Sequence, residues 1–209
     1  MDLSARAAMG WPAPGKTEFH PNGSFTFEQA AEMIERLTRH FGDLSRLSCM
    51  DLGCGPSESA IASQVLRIPW RRLVSVETFP PYLEKLQGKP AAAQTREIWP
   101  KRIEAAVGDV LPGEIDIIMM IDVIEHFTRP AALRVLARIQ RLARLGVVLF
   151  VPLGDVEQDE LDGNPLQRHR SEWYPRQLAR FGYDLEVYER FHGQMETRPD
   201  AAWAVKKTS

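Results

Sequence analysis

The sequence contains very little cysteine. Only two of its 209 residues are cysteines, Cys49 and Cys54, and they lie close together at the end of one predicted strand. This number and spacing exclude a disulfide framework of the kind that holds small secreted domains together. Free thiols are typical of a reducing compartment, so we expect a cytoplasmic protein.

Long apolar runs and an excess of one charge are also absent. No stretch approaches the roughly 18 uncharged apolar residues of a membrane-spanning helix. The first residues lack a basic segment followed by an apolar one, so no secretion signal is expected. The chain has 26 lysines and arginines against 28 acidic residues, a formal charge of −2. This balance gives no electrostatic reason to expect a nucleic-acid partner, and neither a membrane nor a nucleic acid is expected to bind.

What the sequence does contain is an alternation of short apolar strands with helices. Apolar periodicity and capping residues predict helices over residues 26–42, 57–68, 81–87, 91–99, 130–143 and 174–182. Runs of β-branched and apolar residues predict strands over residues 46–55, 72–78, 102–109, 115–123, 145–154, 183–191 and 201–207.

This alternation is typical of a parallel sheet with helices on both faces. The last two strands are joined by a short segment without a helix, which requires an antiparallel pair at one edge. We therefore predict a single α/β domain with a three-layer, Rossmann-like fold and a mostly parallel seven-stranded sheet. Residues 1–44 are interpreted as an N-terminal arm with a capping helix, and residues 45–209 as the core.

Acidic residues and glycines close the predicted strands. Gly53 and Gly55 follow the first strand, and without Cβ atoms they allow a tight turn and close approach of a ligand. Glu77, Asp109 and Asp122 end the second, third and fourth strands. Each feature alone is also explained by a tight turn or a helix N-cap. Their occurrence in order at four strand ends favours a ligand site, because ligands of open α/β sheets bind at the carboxyl ends of the strands.

In these motifs the chain resembles the class I S-adenosylmethionine-dependent methyltransferases, of the type that acts on small molecules. The resemblance lies in "MDLGCGPSE" (50–58), "SVE" (75–77), "AVGDV" (106–110) and "IDVIEHFTRP" (121–130), and it covers roughly residues 45–190. It implies a methyltransferase that uses S-adenosylmethionine as its cofactor. The implied cofactor-binding residues are Asp51, Gly53, Gly55, Glu77, Thr78, Asp109, Val110 and Asp122.

The resemblance implies a role for each of these positions. Gly53 and Gly55 would pack beneath the methionine and ribose portions of the donor, and Asp51 would bond near its amino group. Glu77 would hold the ribose hydroxyls, Asp109 would meet the adenine amino group, and Asp122 would border the methionine end. Ser57 stands where many members of the family have a third small residue. A nicotinamide dehydrogenase is disfavoured because Glu58 would repel a pyrophosphate.

Two histidines are candidate catalytic residues on the acceptor side. His126 follows the fourth strand, and His169 lies in the long connection before residue 174, a length typical of functional loops. Each is a candidate proton acceptor, while His126 is equally explained as a helix-cap residue and His169 as part of a surface loop. Glu125 is interpreted as a cap or surface acid. The acidic residues of the loop do not match the spacing of a calcium site, so no metal is expected.

The expected partner is a small-molecule methyl acceptor, methylated on an oxygen or a nitrogen. Two alternatives remain open on the sequence alone. One is a protein that binds the cofactor without turnover, and the other is a methyltransferase that acts on protein or RNA.

Overall fold

A computed structural model describes residues 27–56, 60–188 and 200–208 of the chain. Seven strands form one sheet in the order β3-β2-β1-β4-β5-β7-β6. The strands are β1 (Ser48–Leu52), β2 (Arg72–Glu77), β3 (Thr95–Pro100), β4 (Ile115–Ile121), β5 (Ala143–Pro152), β6 (Asp184–Tyr188) and β7 (Ala201–Lys207). The helices are α1 (Phe27–Phe41), α2 (Ala60–Arg67), α3 (Pro80–Gln87), α4 (Ile103–Ala106), α5 (Arg129–Leu142) and α6 (Pro175–Arg180).

The strand pairings confirm the predicted α/β fold. β1 pairs in parallel with β2 and with β4, and β2 pairs in parallel with β3. β6 and β7 pair in antiparallel orientation, as their short connection requires. That connection, residues 189–199, lies outside the described residues, as do residues 1–26 of the predicted N-terminal segment and Ser57. Among the described residues, the longest and most apolar helices still fall short of what crossing a membrane requires.

The third strand lies elsewhere than the sequence predicts. Residues 95–100 form β3 and not the end of a helix, while residues 103–106 form the short helix α4 and not a strand. Thr95, Ile98 and Trp99 favour an edge strand, and pairing with β2 overrides the helix propensity of the alanines at residues 91–93. The alanines at residues 105–106 are good helix formers, which explains α4.

The described chain divides into two compact units. The first unit comprises residues 27–56, 60–120 and 135–147 together with Thr208. Its core contains the central strands, where Met50 of β1 lies opposite Val74 of β2 and Ile118 of β4. All three side chains are fully buried. Because β4 is buried on both faces, it is recognisable in the sequence as a nearly continuous apolar run.

The second unit comprises residues 121–134, 148–188 and 200–207. Its core contains the buried half of β5 together with β7, and the indoles of Trp173 and Trp203 are buried with them. The amide of Leu153 donates to the carbonyl of Asp200 at 2.8 Å, just beyond the ends of these strands. This unit contains the long connection in which His169 lies.

Candidate functional site

The turn after β1 needs glycine at two positions. Gly53 and Gly55 have φ angles of 70° and 64°, in the left-handed region that other residues adopt at a cost. The amides of Gly53 and Cys54 donate to the carbonyl of Val76 at 2.8 and 3.1 Å, so the turn is fastened to the end of β2. A Cβ built at Gly55 would meet no heavy atom of a described residue within 4 Å, so these residues leave open space beside the backbone there.

Glu77, the last residue of β2, faces this turn. Its side chain is only 7% exposed, and its Oε2 accepts a hydrogen bond from the amide of Gly55 at 3.1 Å. Its Oε1 accepts hydrogen bonds from the amides of Thr78 and Phe79 at 2.6 and 2.8 Å. The structure therefore brings Gly53, Gly55 and Glu77 together at the carboxyl ends of β1 and β2. Thr78 contributes through its amide, which orients the carboxylate.

Asp51 adds a second buried carboxylate to the first unit. It lies within β1 and is 5% exposed. Burial, and then the negative charge of Glu77, raise the pKa of Asp51 to about 7. Two buried carboxyl groups that influence each other in this way create a local preference for a positively charged ligand.

Asp109 does not end a strand, and this part of the prediction is wrong. It follows α4, because the third strand ends at Pro100. Its side chain is 54% exposed and forms an ion pair with Nζ of Lys101 at 2.7 Å. Lys101 is the first residue after β3, so the ion pair still holds Asp109 near the end of that strand. Val110, which follows it, is buried.

In the second unit, Asp122 follows β4 directly, as predicted. Its φ of 51° lies in the left-handed region, and its amide donates to the carbonyl of Phe150 at 2.9 Å. A 3-10 turn over Ile124–His126 comes next. Burial raises the pKa of Asp122 to about 7. Its assignment as a cofactor contact remains a prediction.

Glu125 is not a surface acid, which corrects the interpretation from the sequence. It is 2% exposed, and in the described part of the chain neither carboxylate oxygen has a hydrogen-bond partner of ordinary geometry. Burial raises its pKa well above the usual value, and the charge of Asp122 raises it further, against a smaller opposing effect of nearby backbone amides. No pattern in the sequence indicates that this acid, rather than its neighbours, turns inward.

The connection after β5 folds back onto this turn and brings the two candidate histidines together. The amides of Arg170 and Ser171 donate to the carbonyl of Glu125 at 2.8 and 3.1 Å. The rings of His126 and His169 consequently lie 5.1 Å apart, centroid to centroid. Two contacts orient His169. Its backbone amide donates a hydrogen bond to the carbonyl of Gln158, and its ring Nδ1 lies 2.7 Å from the carbonyl of Val156.

Both imidazoles lose basicity in this environment. Burial, assisted by the neighbouring His169, lowers the pKa of His126 to about 4. Burial also lowers the pKa of His169 below its usual value. Both rings are therefore neutral at physiological pH, and each offers a nitrogen lone pair.

A cavity of about 460 Å³ opens within the second unit beside His169. Three of the residues that line it are acidic and two are arginines, so it presents both hydrogen-bond donors and acceptors. Its walls are formed by Arg129, Asp155, Val156, Glu157, His169, Arg170, Ser171, Glu172, Tyr174 and Gln177. One wall is rigid, because Arg129 stacks on buried Trp173 at 4.2 Å and donates to the carbonyl of Glu172 at 2.7 Å.

Comparison with known proteins places the fold. No protein-family model matches the chain, and no curated protein sequence matches it. Solved structures do match. A magnesium protoporphyrin IX methyltransferase from Synechocystis PCC 6803, with bound S-adenosylhomocysteine, is 13% identical, with a TM-score of 0.60 over 88% of this chain and 83% of that one.

Two further structures widen this comparison. The 1,6-didemethyltoxoflavin-N1-methyltransferase of Burkholderia thailandensis, with bound 1,6-didemethyltoxoflavin and S-adenosylhomocysteine, is 18% identical, with a TM-score of 0.58 over 88% of this chain and 78% of that one. A small RNA methyltransferase is 16% identical, with a TM-score of 0.58 over 95% of this chain and 27% of that one. The chain therefore has the fold of the S-adenosylmethionine-dependent methyltransferases, and the predicted fold is confirmed.

Proposed function

We propose that this protein transfers a methyl group from S-adenosylmethionine to an oxygen or nitrogen of a small molecule. The observation that carries the proposal is the hydrogen bond between Gly55 and Glu77, which forms a cradle with an acidic wall at the ends of β1 and β2. Structures of the same fold contain S-adenosylhomocysteine, the product of this donor.

The residues of the first unit fit the donor. The open space at Gly55 admits the ribose against the backbone, and the remaining lone pair of Glu77 Oε2 can accept from its hydroxyls. Asp51 is proposed to hold the amino group of the methionine portion, which favours its ionised form. Asp109, with the amide of Val110, is proposed to meet the adenine. The donor supplies a methyl group on a positively charged sulfur, which the acidic wall of Asp51 and Glu77 favours.

The acceptor side is proposed from the second unit taken by itself. A cavity of about 460 Å³ is of a size that suits a small ligand. Its mixture of arginine, acid, tyrosine and amide groups can orient a polar acceptor through hydrogen bonds. His126 and His169 are proposed to act on the acceptor. Because methyl transfer is an in-line displacement at an activated carbon, alignment and exclusion of water contribute most of the catalysis.

Two measurements test this function. Calorimetry should show that S-adenosylhomocysteine binds, while NAD and NADP do not; the reverse selectivity would overturn the proposed donor. The purified protein should then convert S-adenosylmethionine to S-adenosylhomocysteine when supplied with a small-molecule cell extract. Turnover only with an RNA or a protein fraction would overturn the acceptor class, and binding without turnover on any fraction would overturn the enzymatic role.

The histidines are tested separately from the donor site. His126→Ala and His169→Ala should each lower turnover at least about 100-fold, a typical contribution of a positioned acid–base group. Their affinity for S-adenosylhomocysteine should stay unchanged. His40→Ala, which removes a half-buried histidine of α1, serves as the matched control and should keep full activity.

A further inference from the structure

Three metal-ligating side chains meet in the second unit. One ligand atom from each of Glu125, His126 and His169 lies within 4.8 Å of the other two. Ligand atoms that share one cation lie about 2.0–2.2 Å from it, and therefore within about 4.4 Å of one another. The ligand atoms of this cluster exceed that spacing by at most about 0.4 Å.

The buried carboxylate of Glu125 is the strongest indication that this cluster of three side chains binds a cation. It is 2% exposed, and both of its carboxylate oxygens lack a hydrogen-bond partner among the described residues. Within the same part of the chain, the buried Oδ1 of the nearby Asp122 lacks a partner as well. Burying an unpaired carboxylate costs several kcal/mol, so such groups are normally paired with a cation or coordinate a metal. Among the described residues, no lysine or arginine forms an ion pair with Glu125 or Asp122.

The orientation of His169 is that of a metal ligand. Its Nδ1 lies 2.7 Å from the backbone carbonyl of Val156, and a carbonyl can only accept, so Nδ1 carries the proton. The lone pair is then on Nε2. Histidines that bind metals characteristically donate their other ring N–H to a backbone carbonyl or a carboxylate, which fixes the ring and its tautomer.

His126 lies where it can supply a second imidazole nitrogen beside that of His169. Its Nδ1 is buried without a hydrogen-bond partner in residues 27–56, 60–188 and 200–208. Its ring lies 5.1 Å from that of His169. Both rings lie beside the buried carboxylate of Glu125, with one ligand atom of each of the three side chains inside the common distance given above. A cation satisfies all three at once.

We propose that Glu125, His126 and His169 bind a divalent first-row transition metal such as zinc, cobalt or manganese. Two imidazoles and one carboxylate are the donors that such ions take, whereas magnesium and calcium prefer sites made of oxygen ligands alone. The acidic loop that follows β5 plays no part in this site except through His169. The three ligands come from two separate segments, which is why no metal-binding spacing is visible in the sequence.

Three protein ligands leave coordination positions open, as in catalytic metal sites. His169 also lines the 460 Å³ cavity, so the proposed metal site and this cavity share one residue. A bound cation would lower the pKa of an acceptor hydroxyl and favour its deprotonated, nucleophilic form. This catalytic role rests on the proposed methyl transfer, but the binding of the metal does not.

The site is tested by metal binding to the full chain after treatment with a chelator. Calorimetric titration with ZnCl₂ should show one equivalent bound, and CoCl₂ should give the visible absorption of a protein-bound ion. Glu125→Gln and His169→Gln should each weaken binding by about 100-fold or more, since loss of even an outer-shell partner costs 10–100-fold. His40→Gln, which changes a histidine outside the cluster, should bind as the unchanged protein does.

A measurement on the unaltered chain keeps the test valid if a variant fails to fold. Mass spectrometry should show that ZnCl₂ protects His169 from modification by diethylpyrocarbonate while His40 remains reactive. Equal affinity in the cluster variants and the control, or no protection of His169, would overturn the site. Binding of zinc without binding of S-adenosylhomocysteine would support the metal site and overturn the proposed donor. Binding of S-adenosylhomocysteine without binding of zinc would overturn the metal site and support the proposed donor.

Discussion

The amide of Gly55 donates to Oε2 of Glu77 at 3.1 Å, and this bond joins the ends of two neighbouring parallel strands. Oε1 accepts from two further amides, those of Thr78 and Phe79. All three backbone groups are donors, so the carboxylate cannot be replaced by an amide without placing an N–H group against another N–H. The geometry of the cradle therefore depends on the charge and the acceptor capacity of this one side chain.

Glu77→Gln should consequently weaken the binding of S-adenosylhomocysteine at least about tenfold, or about 1.4 kcal/mol. Calorimetry on the purified variant measures this directly. Glu84→Gln, which changes an exposed acid of α3, is the matched control and should bind with unaltered affinity. Equal affinity in the two variants would show that Glu77 only fastens the turn.

Donor binding should depend on pH through Asp51. With a pKa of about 7, this carboxyl is mostly protonated at pH 6 and mostly ionised at pH 8 in the free protein. Because the amino group of the ligand is positive, it binds the ionised form better. Affinity for S-adenosylhomocysteine should rise roughly tenfold from pH 6 to pH 8, and Asp51→Asn should remove that rise.

The carboxyl of Asp51 should also make the stability of the fold depend on pH. Here the sign is opposite, because stability should fall as the pH rises. Its pKa is raised on folding from the usual 3.8 to about 7, so the folded state holds this proton more tightly than the unfolded one. Its stabilising contribution is complete below about pH 4 and is lost as the pH rises through 7. Urea unfolding of the ligand-free protein should therefore show the unaltered chain losing stability relative to Asp51→Asn across this interval.

The central strands could be predicted from the sequence because strands that are buried on both faces are rich in apolar residues. β4 is a nearly continuous apolar run, and β1 and β2 each have apolar residues at half or more of their positions. The order of these strands along the chain is enough to place Gly55 and Glu77 near each other. β3 could not be found in this way. It is an edge strand with Arg96 and Glu97 in its middle, and only its pairing with β2 distinguishes it from a helix.

The acceptor side depends on contacts between distant segments, which no local pattern records. His126 and His169 each stand out as candidates, but their proximity follows from the amides of Arg170 and Ser171 bonding to Glu125. The burial of Glu125 has the same origin. Local spacing along the chain therefore identifies the individual histidines but not the cluster that they form.

The cysteines should be chemically inert in the folded protein. Cys49 is fully buried, and burial followed by the charges of Asp51 and Asp116 raises its pKa well above the usual value. Cys54 lies between the two glycines of the turn, and burial followed by the charges of Asp51 and Glu77 raises its pKa as well. The thiolate is the reactive form, so both residues should react slowly.

Titration with a disulfide reagent at pH 8 measures this reactivity. The native protein should release little thiol signal over minutes, and the urea-unfolded protein should release two equivalents at once, one for each cysteine in the sequence. Rapid labelling of one thiol in the native state would contradict the raised pKa of the half-buried Cys54. Labelling of Cys54 that S-adenosylhomocysteine slows would locate the ligand beside it.

Stability of the first unit should depend strongly on Asp116. This residue is 1% exposed and accepts hydrogen bonds from the amide and hydroxyl of Ser48 at 2.7 and 3.0 Å, as well as from Arg144. Burial alone would raise its pKa, but the hydrogen bonds from Ser48 and Arg144 together hold that pKa below the usual value. It therefore ties the start of β4 to the start of β1 and to the first residues of β5.

Asp116→Ala should lower the free energy of unfolding by about 2–4 kcal/mol, because it leaves a buried amide and hydroxyl of Ser48 without their acceptor. Urea unfolding measures the loss, and Glu104→Ala, an exposed acid of α4, should change stability by less than about 0.5 kcal/mol. Since the pKa of Asp116 is lowered on folding, its contribution is present at neutral pH and is lost as the pH falls through that lowered value. The difference between Asp116→Asn and the unaltered chain should accordingly shrink in acid, and a difference that grows in acid would show that the carboxylate is not the charged, hydrogen-bonded group described here.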